Sequence, residues 1–493
     1  WMLHRKPREI FRIVKIAKKY DRKTGLLHIT VAYKTAVKTL TPRTVAVAEA
    51  FGLGIGDVKR HVLYDEFKIR LKPTDIVYVT GESGSGKSVL LKRLERLLKP
   101  ETVNISDIKV DKRKPIIETL GENVEQAIKL LSKVGLNDAF LFLRSYNELS
   151  EGQKYRYRIA RLMESKAQYW ILDEFCSTLD RDTAKIVAFN LQKQARKLGK
   201  AVIAATTHTD LVEDLSPTIH IHKQFGKEVR TRYLVRNRNK PAQFCSLTRK
   251  TVIEEGTIED YKALSSFHYR SSRLPPPRKI FKTTRKDKKK LCGVIVYSYP
   301  PLACFGRKTA FQLYGIPFNN SLEWINANLS TISRVILHPK YRGIGLGVKL
   351  VKETLTKAGT PYVETVAVMA RYNPFFEKAG MRHIATQKAD ASCLSAAETL
   401  RTLGVETLFT ASEKYTRKRL RALKRGEKKI LLQALARIKN QRFRRALVGK
   451  PYVATEEFCR ALEKADVAKL AHALRVLNIL LQRKFYLFWR REV

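Results

Sequence analysis

Gly81-Glu82-Ser83-Gly84-Ser85-Gly86-Lys87-Ser88 stands between an apolar run, Asp75-Ile76-Val77-Tyr78-Val79-Thr80, and an amphipathic one, Val89 to Leu98. The first run has the length and β-branched content of a buried strand and the second has helical spacing, so the glycines fall at a strand-to-helix turn. At such a turn consecutive backbone N–H groups curl around a phosphate, the helix N-terminus adds partial positive charge and Lys87 adds a full one. Gly81, Ser83, Gly84, Ser85, Gly86 and Lys87 are therefore expected to cradle the phosphates of a nucleotide, with Ser88 as a ligand of Mg2+. A chance glycine-rich turn would not carry both flanks.

Further along, Leu149-Ser150-Glu151-Gly152-Gln153 opens a helical run, Lys154 to Met163. The apolar strand Tyr169 to Leu172 ends in Asp173-Glu174, Ser177-Thr178-Leu179-Asp180 follows, and the strand Ala201 to Thr206 ends near His208. In this order the set resembles the ABC ATPase family over roughly residues 8 to 235: Walker A, signature, Walker B with a terminal glutamate, D-loop and switch histidine. The resemblance implies ATP and Mg2+ as cofactors. It makes Asp173 the holder of Mg2+ through its water shell, Glu174 the residue that orients or deprotonates the attacking water, and His208 the sensor of the γ-phosphate. Ser150, Gly152, Gln153 and Asp180 join the same nucleotide site by their place in the motifs.

Phe51 falls where an adenine-stacking aromatic would sit if Val62 to Leu71 is the strand pair before the loop; a core phenylalanine is an equal reading. No glutamine between Ser88 and Leu149 suits the family's Q-loop, since Gln126 lies in an apparent helix, Glu122 to Leu131. That departure argues against ordinary transporter coupling. The chain has one phosphate loop and one signature, whereas the resemblance implies ATP held between the loop of one unit and the signature of another. A head-to-tail homodimer through the ABC domains is the simplest completion. There Ser150 and Gly152 of one protomer would face the γ-phosphate held by Lys87 of its partner.

At 493 residues the chain has room for two or three domains, and 96 Lys plus Arg against 46 Asp plus Glu give a formal charge of +50. Such an excess costs self-repulsion and calls for a polyanionic partner: RNA above all, with DNA, the ribosome and an anionic membrane surface also qualifying. The runs Lys282 to Lys290, Tyr415 to Arg425 and Gln441 to Arg445 concentrate it, the second with the spacing of a helix laid along phosphates. The six cysteines have no paired or zinc-type spacing, which fits reduced thiols in the cytoplasm. The apolar stretch Val476 to Trp489 is broken by charges too early to span a bilayer, so no membrane span is expected.

After Arg236 to Pro241 the pattern changes. A strand, Ser333 to Leu337, leads through His338-Pro339 into Lys340-Tyr341-Arg342-Gly343-Ile344-Gly345-Leu346-Gly347 and the helix Val348 to Leu355. With Tyr362 to Val368 as the next strand and Asn373 to Met381 beyond it, this resembles the acetyl-CoA loop of the GNAT acyltransferases over roughly residues 250 to 390. The resemblance implies that the amides of Arg342, Gly343, Ile344, Gly345, Leu346 and Gly347 bind the pyrophosphate of acetyl-CoA and that Asn373 touches the cofactor's arm. Where that family often has a tyrosine as acid, this chain has Phe376; Tyr372 is the nearest substitute, and a packed aromatic is the better reading of it. His338 has the chemistry of a base but stands in a His-Pro strand end, a structural position more often than not.

The expected fold is α/β: an ABC ATPase domain over 1–240, a GNAT-like acyltransferase domain over 241–390 and a basic α-helical region over 391–493. Leu470, Leu474, Leu477 and Leu481 form a packing stripe in that region. The whole resembles ATPase–acetyltransferase fusions. The expected function is ATP-driven dimer closure that positions or remodels an RNA for acetylation. The alternative is a ribosome- or nucleic-acid-binding ABC ATPase whose GNAT-like part senses or is inactive, and a transporter subunit is a distant third.

Overall fold

The computed structural model describes residues 11–21, 23–35, 40–52, 59–234, 244–267, 274–368 and 373–491. The chain forms two compact units that alternate along the sequence: Trp1–Ser272, Phe281–Val294 and Val335–Leu350 make the first, and Arg273–Ile280, Ile295–Arg334 and Val351–Val493 the second. The segment 241–390 is thus shared between units, and 391–493 lies in the second. The expected boundary at Arg236 to Pro241 falls outside the described residues, as does Tyr372.

In the first unit, β1 (Phe11–Asp21), β2 (Leu26–Thr35) and β3 (Lys59–Arg70) form an antiparallel sheet in chain order. A second sheet is built from β4 (Ile76–Gly81), β5 (Thr102–Asn104), β6 (Tyr169–Leu172), β7 (Ala201–Thr206), β8 (Ile219–Lys223) and β9 (Val229–Tyr233). Its order is β5-β6-β7-β4-β8-β9, parallel except for β9. Every residue of β4 and β7 is buried, which is why these strands read as continuous apolar runs with no polar alternation. Ile76 and Tyr78 pack with the helices Glu151–Glu164 and Arg181–Leu198, whereas Val77 and Val79 pack with the helix Lys87–Leu98 and with Leu27, Ile29 and Val31 of β2. With both faces covered, the free part of the sheet is the crevice beyond its carboxyl ends, where Gly81, Asp173 and Thr206 emerge.

The chain then runs through β10 (Thr251–Glu255), β11 (Pro277–Arg285), β12 (Lys290–Ser298) and β13 (Leu329–Leu337). Within the first unit β10 pairs antiparallel with Phe281 to Arg285 of β11. The second unit adds β14 (Tyr362–Ala367), β15 (Arg382–Gln387) and β16 (Lys484–Arg490). There β13 pairs in parallel with β14 over Leu329↔Tyr362 to Thr331↔Glu364, and β16 lies antiparallel between β14 and β15. Buried Glu364 accepts from Arg307 Nε at 3.0 Å and Nη2 at 2.6 Å, from Tyr486 Oη at 2.8 Å and from Thr331 Oγ1 at 3.0 Å. Its charge is paired and its oxygens are satisfied, as burial requires.

Six helices from Ala391–Thr402 to Val467–Leu481 share a core that includes Leu431, Phe443 and Phe458. Leu470, Leu474 and Leu477 are buried in it and Leu481 packs at its margin, so the stripe is packing. The all-helical reading of 391–493 needs one correction, because Lys484–Arg490 is a strand. Phe485, Tyr486, Phe488 and Trp489 favour a pleated, half-buried surface, and pairing on both edges overrides the helical spacing upstream. Among the described residues no helix is long and apolar enough to cross a membrane.

Candidate active site

The Gly81–Ser88 loop joins β4 to the helix Lys87–Leu98, as its flanks require. Gly81 has φ of +150°, and a Cβ there would lie 2.1 Å from the carbonyl oxygen of Lys223. Gly86 caps the helix at φ +100° with Leu63 pressed against it, and Tyr64 Oη donates to its carbonyl at 3.0 Å. Lys87 Nζ donates to Gly81 O at 2.8 Å and Glu82 O at 2.6 Å, which keeps the ammonium in the mouth of the loop. Burial lowers its pKa, and the charge of Asp173 acts in the opposite direction. Ser85 Oγ is buried without a partner while Ser83, Gly84 and Ser88 are exposed. An orphaned hydroxyl, a poised ammonium and open amides fit a phosphate chain. Gly81→Ala should therefore cost about 3 kcal/mol of stability through strain and overlap, and abolish ATP binding. Thermal melts and ATP titration check it.

At the end of β6, Asp173 Oδ1 accepts from Glu174 N at 3.0 Å, and Phe175 N is tied to Ala205 O at 2.6 Å. Glu174 stands exposed at φ +50° and Cys176 at φ +59°. Both conformations lie in the left-handed region, which strains non-glycine residues. Cys176 N donates to Tyr155 Oη at 3.1 Å, which fixes the turn from the signature helix. At the end of β7, His208 N donates to Thr206 Oγ1 at 3.3 Å and Tyr78 Oη donates to His208 O. Burial, and then the charge of Arg181, lowers the His208 pKa, so the ring is neutral at pH 7. A neutral imidazole can donate to a phosphate oxygen without carrying charge. Asp173 would hold Mg2+ with Ser88, and the metal would supply charge neutralisation at the β- and γ-oxygens.

Ser150 caps the helix Glu151–Glu164 in a reciprocal capping box, Gln153 Oε1 accepting from Ser150 N at 3.0 Å. Gly152 lies close against the next loop, since a Cβ there would stand 3.3 Å from Leu179 and 3.6 Å from Thr178 O. Signature and D-loop of one chain are thus packed together, with Ser150 exposed. Among the described residues no hydrogen bond or ion pair joins Ser150, Gly152 or Gln153 to the Gly81–Ser88 loop. Asp180 caps the helix Arg181–Leu198, and Arg181 pairs with Asp210, tying the D-loop to the His208 turn.

Phe51 ends the helix Pro42–Ala50 and is 78% exposed, so the core reading of it is wrong. Phe225 also stands beside the loop, its ring 4.0 Å from where a Cβ on Gly84 would lie. Sequence reading missed it because Phe225 lies in an irregular turn after β8. Gln126 is helical and bonds Glu122 N at 3.0 Å, as expected for a residue outside a Q-loop.

The second glycine loop lies in the first unit. Ile344 and Leu346 are buried among Ile186, Phe189, Leu247 and Tyr341. Arg342 Nη1 donates to Asn137 O at 2.7 Å, and a Cβ on Gly343 would lie 2.8 Å from Ser132 O. Gly345, at φ +83°, is open on its outer side, and Gly347 is the second residue of the helix Leu346–Leu355. His338 Nδ1 accepts from Lys340 N at 3.2 Å, a capping role, and burial followed by Lys290, Lys340 and Arg342 lowers its pKa. In the second unit Asn373 is exposed, and Phe376 is buried with its ring 4.1 Å from that of Phe375.

Loop, Asp173-Glu174 turn, signature helix and His208 on a parallel sheet define a P-loop ATPase. Residues 70–209 match the family model described as an AAA domain. The chain is 32% identical over 167 residues to the cytochrome c biogenesis ATP-binding export protein CcmA of Gluconobacter oxydans, covering 31% of this chain and 77% of that protein. It is 30% identical over 195 residues to the methionine import ATP-binding protein MetN of Streptococcus pneumoniae, covering 31% of this chain and 54% of that one. A solved dimeric ATP-binding cassette, bound to ADP and Pi after hydrolysis, aligns at a TM-score of 0.30 with 18% identity, over 36% of this chain and 92% of its own. The chain belongs to the ABC-type ATPases: it binds and hydrolyses ATP through its N-terminal domain, which further α/β and helical regions follow.

Proposed function

We propose that ATP closes two copies of this chain head to tail, and that closure presents a bound nucleic acid, RNA in the first place, for acetyl transfer from acetyl-CoA by the segment 241–390. The observation that carries the dimer is the exposed helix N-terminus at Ser150, an anion site that its own chain's phosphate loop does not contact. A second copy supplies that phosphate.

Support for the polyanion comes from the helices Glu413–Ala422 and Arg425–Ala436. Lys414, Lys418, Arg421, Lys424, Arg425, Lys428 and Lys429 are exposed, and among the described residues none of their side chains forms an ion pair with a carboxylate. Arg425, Lys428 and Lys429 rim a cleft of about 760 Å³ floored by Leu432, Ala436 and Leu462, a seat suited to a strand with phosphates on the rim and bases inward.

Support for acetyl transfer comes from Gly345, whose open outer face at the start of a helix leaves room for a pyrophosphate. Transfer would rest on proximity of thioester and acceptor. Gly345→Asp places a carboxylate where the pyrophosphate would lie, and we expect it to remove acetyl labelling of RNA by roughly 100-fold while ATP hydrolysis persists. Labelled acetyl-CoA with cellular RNA reads it; no label with wild type refutes acetylation.

A second reading keeps the ATP-driven grip on nucleic acid and drops the transfer. Buried Phe376 favours it, because the position of the expected acid is a packed ring. Under that reading Gly345→Asp changes nothing.

A further inference from the structure

Lys340 lies outside the residues that the ATPase motifs account for, yet it reaches into them. It stands in the short turn Pro339–Tyr341, and its Nζ lies 2.5 Å from Asp180 Oδ1 and 3.6 Å from Asp182 Oδ2. Its neighbours hold it there. Asn137 Nδ2 donates to Pro339 O at 3.2 Å, Tyr341 Oη donates to Asp182 Oδ2 at 3.4 Å, and the Arg342 guanidinium is fixed on Asn137 O. Asp182 already has its own cation, Arg285 Nη1 at 2.7 Å, with Lys288 at 3.8 Å. Lys340 is thereby left to Asp180.

Asp180 is a demanding residue. Its Oδ1 accepts from Asp182 N and Thr183 N at 3.2 Å and its Oδ2 from Thr183 Oγ1 at 2.6 Å, so its orientation sets the start of the helix Arg181–Leu198. The next residue, Arg181, is the one that pairs with Asp210 beside the His208 turn. The carboxylate is therefore the junction between the Ser177–Asp180 loop and the residues around the γ-phosphate.

We propose that Lys340 is a positioning residue for ATP hydrolysis, acting through Asp180: it orients that carboxylate and cancels its charge, and so fixes the loop beside the nucleotide. The proposal rests on the reading of Asp180 as a nucleotide-site residue. Burial alone would raise the Asp180 pKa; the hydrogen bonds of Lys340 and Thr183 and the lysine's charge outweigh it and hold it at about 2, so the carboxylate is ionised at neutral pH. Among the described residues no hydrogen bond or ion pair joins Lys340 to the Gly81–Ser88 loop, which separates its effect from nucleotide affinity.

The test compares Lys340→Gln, Lys340→Arg, Asp180→Asn and the double variant Lys340→Gln/Asp180→Asn in the full chain, by steady-state hydrolysis of ATP. Activity is read per folded protein from circular dichroism at the assay temperature, so loss of fold is not counted as loss of turnover. We expect Lys340→Gln to lower kcat by roughly 5- to 10-fold with KM for ATP within about twofold, Lys340→Arg to restore most of it, and the double variant to be no worse than Asp180→Asn. Wild-type kcat in Lys340→Gln beside an impaired Asp180→Asn overturns the proposal and leaves the reading of Asp180 standing. Wild-type kcat in Asp180→Asn overturns both. Losses that add in the double variant overturn the coupling, and if either single variant melts, the double variant against Lys340→Arg decides.

Discussion

Glu174→Gln is expected to lower ATP turnover by about 10³-fold, the range for removal of a positioned base, while ATP still binds. The variant keeps the size and the left-handed turn of Glu174, and it leaves Asp173, Ser88 and the Gly81–Ser88 loop untouched. Loss of binding along with turnover would mean that Glu174 supports the fold of the turn. Because hydrolysis is what would reopen a closed dimer, the same variant should accumulate closed with ATP and Mg2+. Titration with a fluorescent ATP analogue and single-turnover phosphate release separate the two effects.

Binding to single-stranded RNA is expected to weaken by about 300-fold or more between 50 and 200 mM salt, as it must if six or more phosphates are neutralised. Replacing Lys418, Arg421, Arg425, Lys428 and Lys429 together by Gln should remove about 3 to 4 units from the slope of log affinity against log salt for a single strand. These side chains are exposed on helices held by buried leucines, so the bundle survives the exchange. Fluorescence anisotropy with a labelled single strand across salt concentrations measures both. An unchanged slope would move the interface elsewhere on a chain of charge +50.

The parts of the site that the sequence announces are local ones. Gly81 to Ser88 needs only its flanking strand and helix, and Ser150 with Gln153 is a capping box of neighbours three positions apart, so motif and geometry coincide. His208 and Asp173 follow from strand ends in one parallel sheet. What escaped reading is held by distant pairs. Lys340 and Asp180 are separated by 160 residues and Arg342 and Asn137 by 205, and neither run carries a signal for the other. The strand Lys484–Arg490 hides behind a helix of regular spacing, because its state is set by partners at Tyr362–Ala367 and Arg382–Gln387. Phe51 could not be assigned either, since its role depends on how the chain returns to the loop.

The same kind of long-range contact places the loop Lys340 to Gly347 in the unit that holds the phosphate loop. Ile344 and Leu346 are apolar at alternate positions, and they are buried against Ile186 and Phe189 of a helix that the D-loop begins.

The molar mass of Glu174→Gln in solution, by sedimentation velocity with and without ATP and Mg2+, tests most directly whether two chains complete one another's site. A shift from 56.6 kDa to twice that mass on adding ATP, absent in Lys87→Ala, is the predicted result. A mass of one chain at saturating ATP would contradict it.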